Sequence, residues 1–210
     1  GDRFAWRVEV GARARMSVTT QAAERAYRAL PGAEARVETR LSVGPGAALD
    51  WLPQETILYE GAALSRRIEA DLAEDATLLA VEPVVIGRAA HGERVARPRW
   101  RDAWRVRRGG RLVWADGLRV EGALAPLEGA AAFGGARALA TLALIGPGAE
   151  ARLEALRARL EGLEGAAGGA SAWEGVLTAR ILARDGFALR RALAPALELL
   201  RGDPLPRVWT

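Results

Sequence analysis

Through the first two-thirds of the chain, apolar and polar side chains alternate with a period of two. Over residues 4–10, Phe4, Trp6, Val8 and Val10 fall on one side and Arg7 and Glu9 on the other. This is the signature of a half-buried strand. Residues 36–43 repeat it, with Val37, Thr39, Leu41 and Val43 opposite Arg36, Glu38, Arg40 and Ser42, and Gly44-Pro45-Gly46 ends the run as a turn. Residues 104–108 and 111–115 flank Gly109-Gly110 and predict a short hairpin. Further strand pieces are predicted at 66–72, 77–87, 117–122 and 138–146, with Pro83 splitting or bulging the 77–87 segment.

The last third changes period. Leu153, Leu156, Leu160 and Leu163 form an apolar stripe that predicts a helix over 151–165, with the stripe as a packing face. Residues 165–171 read as a Gly-rich loop, 175–185 as a strand, and 187–201 as a second helix. Pro195 removes a hydrogen bond there, so that helix is expected to kink or to start afresh at the proline. The tail 202–210, with two prolines, is expected to be extended. Neither an internal repeat nor a low-complexity linker is visible. The expectation is one domain over 1–210, mainly β: stacked β-sheets in a β-helix-like or sandwich body, with two α-helices in the C-terminal third.

Composition narrows the function classes. No apolar run approaches the ~18 residues of a membrane-spanning helix, so the chain reads as soluble. It has no Cys and a single His, His91, which leaves no thiolate or imidazole cluster to hold a metal tightly. The calculated pI of 10.7 suggests nucleic acid, but the formal net charge is only +4. All 30 basic residues are Arg, and because Arg does not titrate below pH ~12, a small excess carries the pI far up. The densest basic stretch, 97-RPRWRDAWRVRRGGR-111, interleaves Arg with Trp as a single-strand binder does. The simpler reading is an outward Arg row on strands whose other face carries Trp104 and Val106. The first residues are Gly-Asp rather than Met, which points to a lost start or an engineered boundary.

Catalytic signatures are missing. His91 has no neighbouring nucleophile motif, and Gly134-Gly135 and Gly168-Gly169 read as turns, without the Gly-Lys-Ser/Thr ending of a phosphate cradle. What remains are polar islands inside apolar strands: 19-TTQAAERAYR-28, 53-PQET-56 and 82-EPVVIGRAAHGE-93. A buried polar group left unpaired costs ~1–3 kcal/mol, so each island must meet a partner or water. They could be a hydrogen-bonded core, a wet channel or a surface for another protein.

These islands carry a family resemblance. The runs TTQAAERAYR, WLPQETILYEGA, GRAAHGE, GGRLVWADGLRVEG and the closing LPRVW stand in an order and spacing similar to those of the UreD (UreH) urease accessory proteins, WLPQETIL being the most specific. The resemblance covers essentially the whole chain and implies that the family's N-terminal strands are missing from this sequence. His91 stands where members commonly have Met, which weighs against a metal role for it.

The resemblance implies a non-enzymatic, cytoplasmic chaperone or scaffold of urease maturation. Such a protein acts with accessory proteins F and G, the latter a GTPase, and docks on apo-urease, with no nucleic acid or membrane as partner. It implies no tightly bound cofactor, only transient passage of Ni²⁺ through the interior. Oxygen ligands hold such a cation more weakly than thiolate or imidazole does and release it sooner. Glu55 and Glu93 are the candidate metal-path carboxylates. Thr20, Gln21, Gln54 and Thr56 are candidate polar-path or structural-network residues. For Glu55 the competing reading is a buried carboxylate paired with an Arg. The alternatives in other classes are an Arg/Trp-rich single-stranded nucleic-acid-binding module and a hydrolase using paired carboxylates.

Overall fold

The alternating segments wind into stacked coils, each laying strands into two facing sheets. The computed structural model describes residues 1–88, 92, 93, 95–124, 129 and 132–209. The first coil contains β1 (Arg3–Val10), β2 (Arg15–Val18) and β3 (Glu24–Ala26). The second contains β4 (Ala35–Val43), β5 (Ala48–Trp51) and β6 (Thr56–Leu58), and the third β7 (Ala63–Leu72) and β8 (Thr77–Ile86). Then follow β9 (Arg99–Arg108), β10 (Arg111–Glu121) and β11 (Ala138–Ile145), a 3-10 turn at Ala149–Arg152, and α1 (Leu153–Leu160). The chain closes with β12 (Ala166–Trp173), β13 (Val176–Ala183), α2 (Gly186–Arg201) and a 3-10 turn at Arg207–Trp209.

Strands β1, β4, β7 and β9 pair in parallel, and β10 adds antiparallel to β9, giving a five-stranded sheet. The facing eight-stranded sheet runs β12-β13-β11-β8-β5-β2, with β6 also on β8 and β3 on β6. The corners stack too. The N–H of Gly44 donates to Val10 O, that of Ala73 to Val43 O, and that of Gly109 to Leu72 O, each at 2.9 Å. At Gly44 a Cβ would stand 3.0 Å from Val10 O, so the chains can approach this closely only with glycine there. Stacking of this kind asks only that inward positions match from coil to coil, which is why a repeated architecture arises without a visible sequence repeat.

Several elements differ from expectation. β8 is one unbroken strand with Pro83 inside it. Its partner changes instead: β5 pairs up to Ala80 and β6 begins at Val84, so Pro83, with no N–H to give, lies where the neighbouring strand leaves off. Residues 111–121 are a single strand with a bulge at Leu112/Trp114 rather than two pieces. The Gly-rich segment with Gly168-Gly169 is strand β12, the sheet's edge, where small residues leave room for Leu160 of α1. α1 is shorter than its stripe, and α2 runs unbroken through Pro195. The tail turns back and buries Trp209. Trp100 and Trp104 point inward at 1% and 2% exposure, so the Arg/Trp stretch offers no ring there for base stacking. No helix among the described residues is long and apolar enough to cross a membrane, and His91 lies outside the described residues.

At the first coil, β1 and β2 leave free sheet edges, and Phe4 and Trp6 of β1 and Met16 of β2 are exposed beside them. Free edges with apolar neighbours recruit other strands. The isolated chain is therefore expected to self-associate, and Phe4→Arg/Trp6→Glu to reduce this. Equal masses for both by size-exclusion chromatography with light scattering would count against edge pairing.

Candidate functional site

Inward-facing side chains alternate along each strand, and in the middle of the inter-sheet space they turn polar. On β8 the inward residues are Leu78, Ala80, Glu82, Val84 and Ile86, with the carboxylate central. Thr141 of β11 lies beside Glu82 in register, and Arg180 of β13 beside Thr141. The facing sheet supplies Thr39 on β4, Arg66 on β7, Asp102 on β9 and Asp116 on β10. This belt divides the inter-sheet core into two apolar halves. One contains Leu41, Ile68, Leu78, Trp104 and Val176; the other contains Val37, Leu64, Val84, Trp100 and Leu139. A third apolar cluster lies between the eight-stranded sheet and the two helices.

Arg66 holds the centre. Its Nη1 donates to Glu82 and to Thr56 Oγ1 (3.1 Å), while Nε donates to Asp102 Oδ1 (3.0 Å) and Nη2 to Asp102 Oδ2. Indole N–H groups complete the set: Trp51 donates to Glu82 Oε1 and Trp100 to Asp102 Oδ1, both at 2.9 Å. The Arg66 and Glu82 side chains are 3% and 6% exposed. Burial pushes the Glu82 carboxyl up to about 7, against the lowering pull of Arg66 and Trp51; Asp102 and Glu24 push the same way as burial. One guanidinium faces two carboxylates, with Glu24 adding to the negative field at Glu82. The Arg66 guanidinium is disfavoured by burial, but Asp102 and Glu82 outweigh this and hold it charged.

Both ends of the belt reach the surface. At one, Arg180 of β13 pairs with Asp116 across the sheets, both side chains partly exposed. At the other lies a cavity of about 20 Å³, bordered by Trp6, Thr20, Glu24, Gln54, Thr56, Arg66 and Glu82. That is room for about one water. A roomier hollow of about 400 Å³ near Phe133, Leu182 and Arg184 is lined mainly by glycine and alanine and shares no residue with the belt.

The 53–56 segment is the corner between β5 and β6, and it borders the cavity. Gln54 N–H donates to Thr20 Oγ1 (2.9 Å), and Thr20 Oγ1 donates to Ala22 O (3.2 Å). Arg190 of α2 donates to Gln54 Oε1 (2.9 Å), and its guanidinium lies over the Trp209 ring; Trp209 donates to Leu52 O (3.0 Å). Because Arg can only donate, Arg190 sets the orientation of the amide. Gln54 Nε2 is thereby left buried without a protein partner. Glu55 is partly exposed, 3.7 Å from Arg190.

The site residues singled out on sequence thus separate. Thr20, Gln54 and Thr56 meet at the cavity, whereas Glu55, paired with Arg190, and the exposed Gln21 are outside its lining. Glu93 sits elsewhere, accepting from Arg88 Nε (2.9 Å) and from the N–H of Glu60 (3.2 Å). The Arg88 hydrogen bond holds its carboxyl below the ordinary range. Arg66 and Asp102 were missed, since each has the spacing of an ordinary strand residue, and Glu24 was covered only as part of the 19–28 island. The one available signal was that Arg66 and Asp102 fall on the apolar parity of their strands. Among the described residues, no three His, Cys, Asp or Glu side chains converge to hold a metal.

The UreD urease accessory protein family model matches residues 1–210. The chain belongs to the UreD family. Across its whole length it is 54% identical to urease accessory protein UreD 2 of Methylorubrum populi, covering 71% of that protein. It is 52% identical to urease accessory protein UreD of a Methylobacterium species and 50% identical to that of Rhizobium leguminosarum bv. viciae, covering 76% of each. Membership of UreD indicates an accessory role in urease maturation rather than a catalytic one.

Proposed function

We propose that this protein is a cytoplasmic maturation chaperone that works with accessory proteins F and G and helps deliver Ni²⁺ into apo-urease. The cation passes along the polar belt as weakly held cargo. The observation that carries the proposal is the belt itself: ionisable and hydroxyl side chains cross the core between two apolar halves and reach the surface at both ends. A purely structural core has no need of such a row, because buried ion pairs are often matched or bettered in stability by apolar packing. Carboxylate, amide and hydroxyl oxygens suit a hydrated divalent cation that must leave again.

Glu24 lines the cavity end of this path, and Glu55 stands in the chain between Gln54 and Thr56, which line it too. Glu24→Gln and Glu55→Gln are expected to retain the melting temperature, since water can satisfy the neighbours left behind. They are expected to impair nickel-dependent urease activation while still binding the accessory partners. Glu93→Gln, in its ion pair with Arg88, is the matched carboxylate for comparison. Full activation by both Glu24→Gln and Glu55→Gln would remove the belt from the delivery route.

A further inference from the structure

The outer face of the five-stranded sheet is exposed, and it is strongly biased in charge. Its outward positions on β1, β4, β7, β9 and β10 hold ten arginines: Arg3, Arg7, Arg36, Arg40, Arg67, Arg99, Arg101, Arg105, Arg107 and Arg119. Five carboxylates accompany them: Glu9, Glu38, Glu69, Asp71 and Glu121. That excess of five exceeds the whole chain's formal charge of +4, so the rest of the molecule is slightly acidic.

Register sharpens the pattern. Arg3 lies beside Arg36, Arg36 beside Ser65, Ser65 beside Arg101, and Arg101 beside Arg119. One row across all five strands is therefore Arg-Arg-Ser-Arg-Arg, spanning roughly 19 Å at the usual strand spacing. Like charges side by side on a sheet disfavour the fold, and the carboxylates nearby neutralise only part of the row. Glu121 serves both Arg101 and Arg119, while among the described residues Arg36 reaches only Glu34, beyond the strand, and Arg3 forms no ion pair.

We infer that this sheet face is a docking surface for an acidic protein segment that presents a row of Asp and Glu side chains. Guanidinium forks pair with carboxylates in bidentate fashion, and the row gives them a fixed spacing. A second copy of the same face would be repelled. A nucleic acid fits less well, because the outward positions carry no aromatic ring on which its bases could stack. The sheet's Trp100 and Trp104 are turned inward, away from any base. The docking face stands apart from the nickel path, and either can fail without the other.

The test uses the full chain and two fluorescein-labelled probes, deca-glutamate and deca-thymidylate, read by anisotropy at ~0.1 M salt, where surface charges further apart than ~10 Å are screened. Arg36→Gln/Arg101→Gln is expected to weaken deca-glutamate binding at least about tenfold. Arg152→Gln/Arg159→Gln, exposed on the helical side and equal in charge change, is expected to alter it by less than about threefold. Where a thermal melt shows the first double variant unfolded, Arg3→Gln/Arg119→Gln on the same row is read in its place. Equal weakening by row and helical variants would overturn the inference, as would failure of deca-glutamate to bind. Tighter binding of deca-thymidylate, lost on changing the row, would make the face a nucleic-acid surface and also overturn it.

Discussion

Arg66→Met is expected to destabilise the protein by about 3–5 kcal/mol, the usual cost of removing one partner from a buried ion cluster. Met fills much of the space but leaves Glu82 and Asp102 facing each other with only the Trp51, Trp100 and Thr56 groups nearby. Glu82→Gln is the informative companion, because it keeps an acceptor for Trp51 while removing the titration. The Glu82 carboxyl lies at about 7 in the fold and at 4.5 ordinarily. Between those values the folded protein holds a proton that the unfolded chain has released, so stability falls as pH rises through that window and levels off above it. Glu93, Glu121 and Glu150 are shifted downward. Their contribution is present above the ordinary carboxyl range and is lost as pH falls through their lowered values, outside the Glu82 window. Urea unfolding at about pH 5.5 and about pH 8 should show the unsubstituted protein weaker at the higher pH and Glu82→Gln nearly level. A sloping Glu82→Gln curve would assign the pH dependence to another group.

Leu156→Asp is expected to be at least as damaging. Leu156 is fully buried in the cluster formed by α1, α2, β11 and β13, beside Leu160, and Leu153 and Leu163 pack against its margin. Truncating a buried Leu alone costs ~2–5 kcal/mol, and a carboxylate placed there adds an unpaired buried charge. A domain is typically stable by only ~5–15 kcal/mol, so the cooperative unfolding transition should be severely lowered or lost. Arg159→Asp, on the exposed side of the same helix, should leave the melt nearly unchanged. An unchanged melting temperature for Leu156→Asp would mean that the stripe is open to a partner.

Local pattern was enough for the longer strands. Period-two alternation marked β1, β4, β7 and the β9–β10 hairpin, because a strand buried on one face writes that period into its own residues; β11, buried on both faces, was legible as a short apolar run ended by glycine. The Leu stripe of α1 was legible for the same reason, and the family could be read from the islands at 19–28 and 51–62. Partners distant in sequence decided the rest. Pro83 sits quietly within β8 because its neighbour changes from β5 to β6 at that point. β12 is a strand despite its glycines because β13 pairs with it and small residues admit Leu160. The islands' meaning was likewise out of reach. Gln54 is oriented by Arg190, 136 positions away, and Glu82 acquires its raised pKa from burial, with Asp102 and Glu24 adding to it against the pull of Arg66 and Trp51. A side chain's parity is local information and can be read from the chain. Whether its charge meets a cation, water or a carboxylate depends on which coil is stacked beside it, and tertiary packing alone sets that.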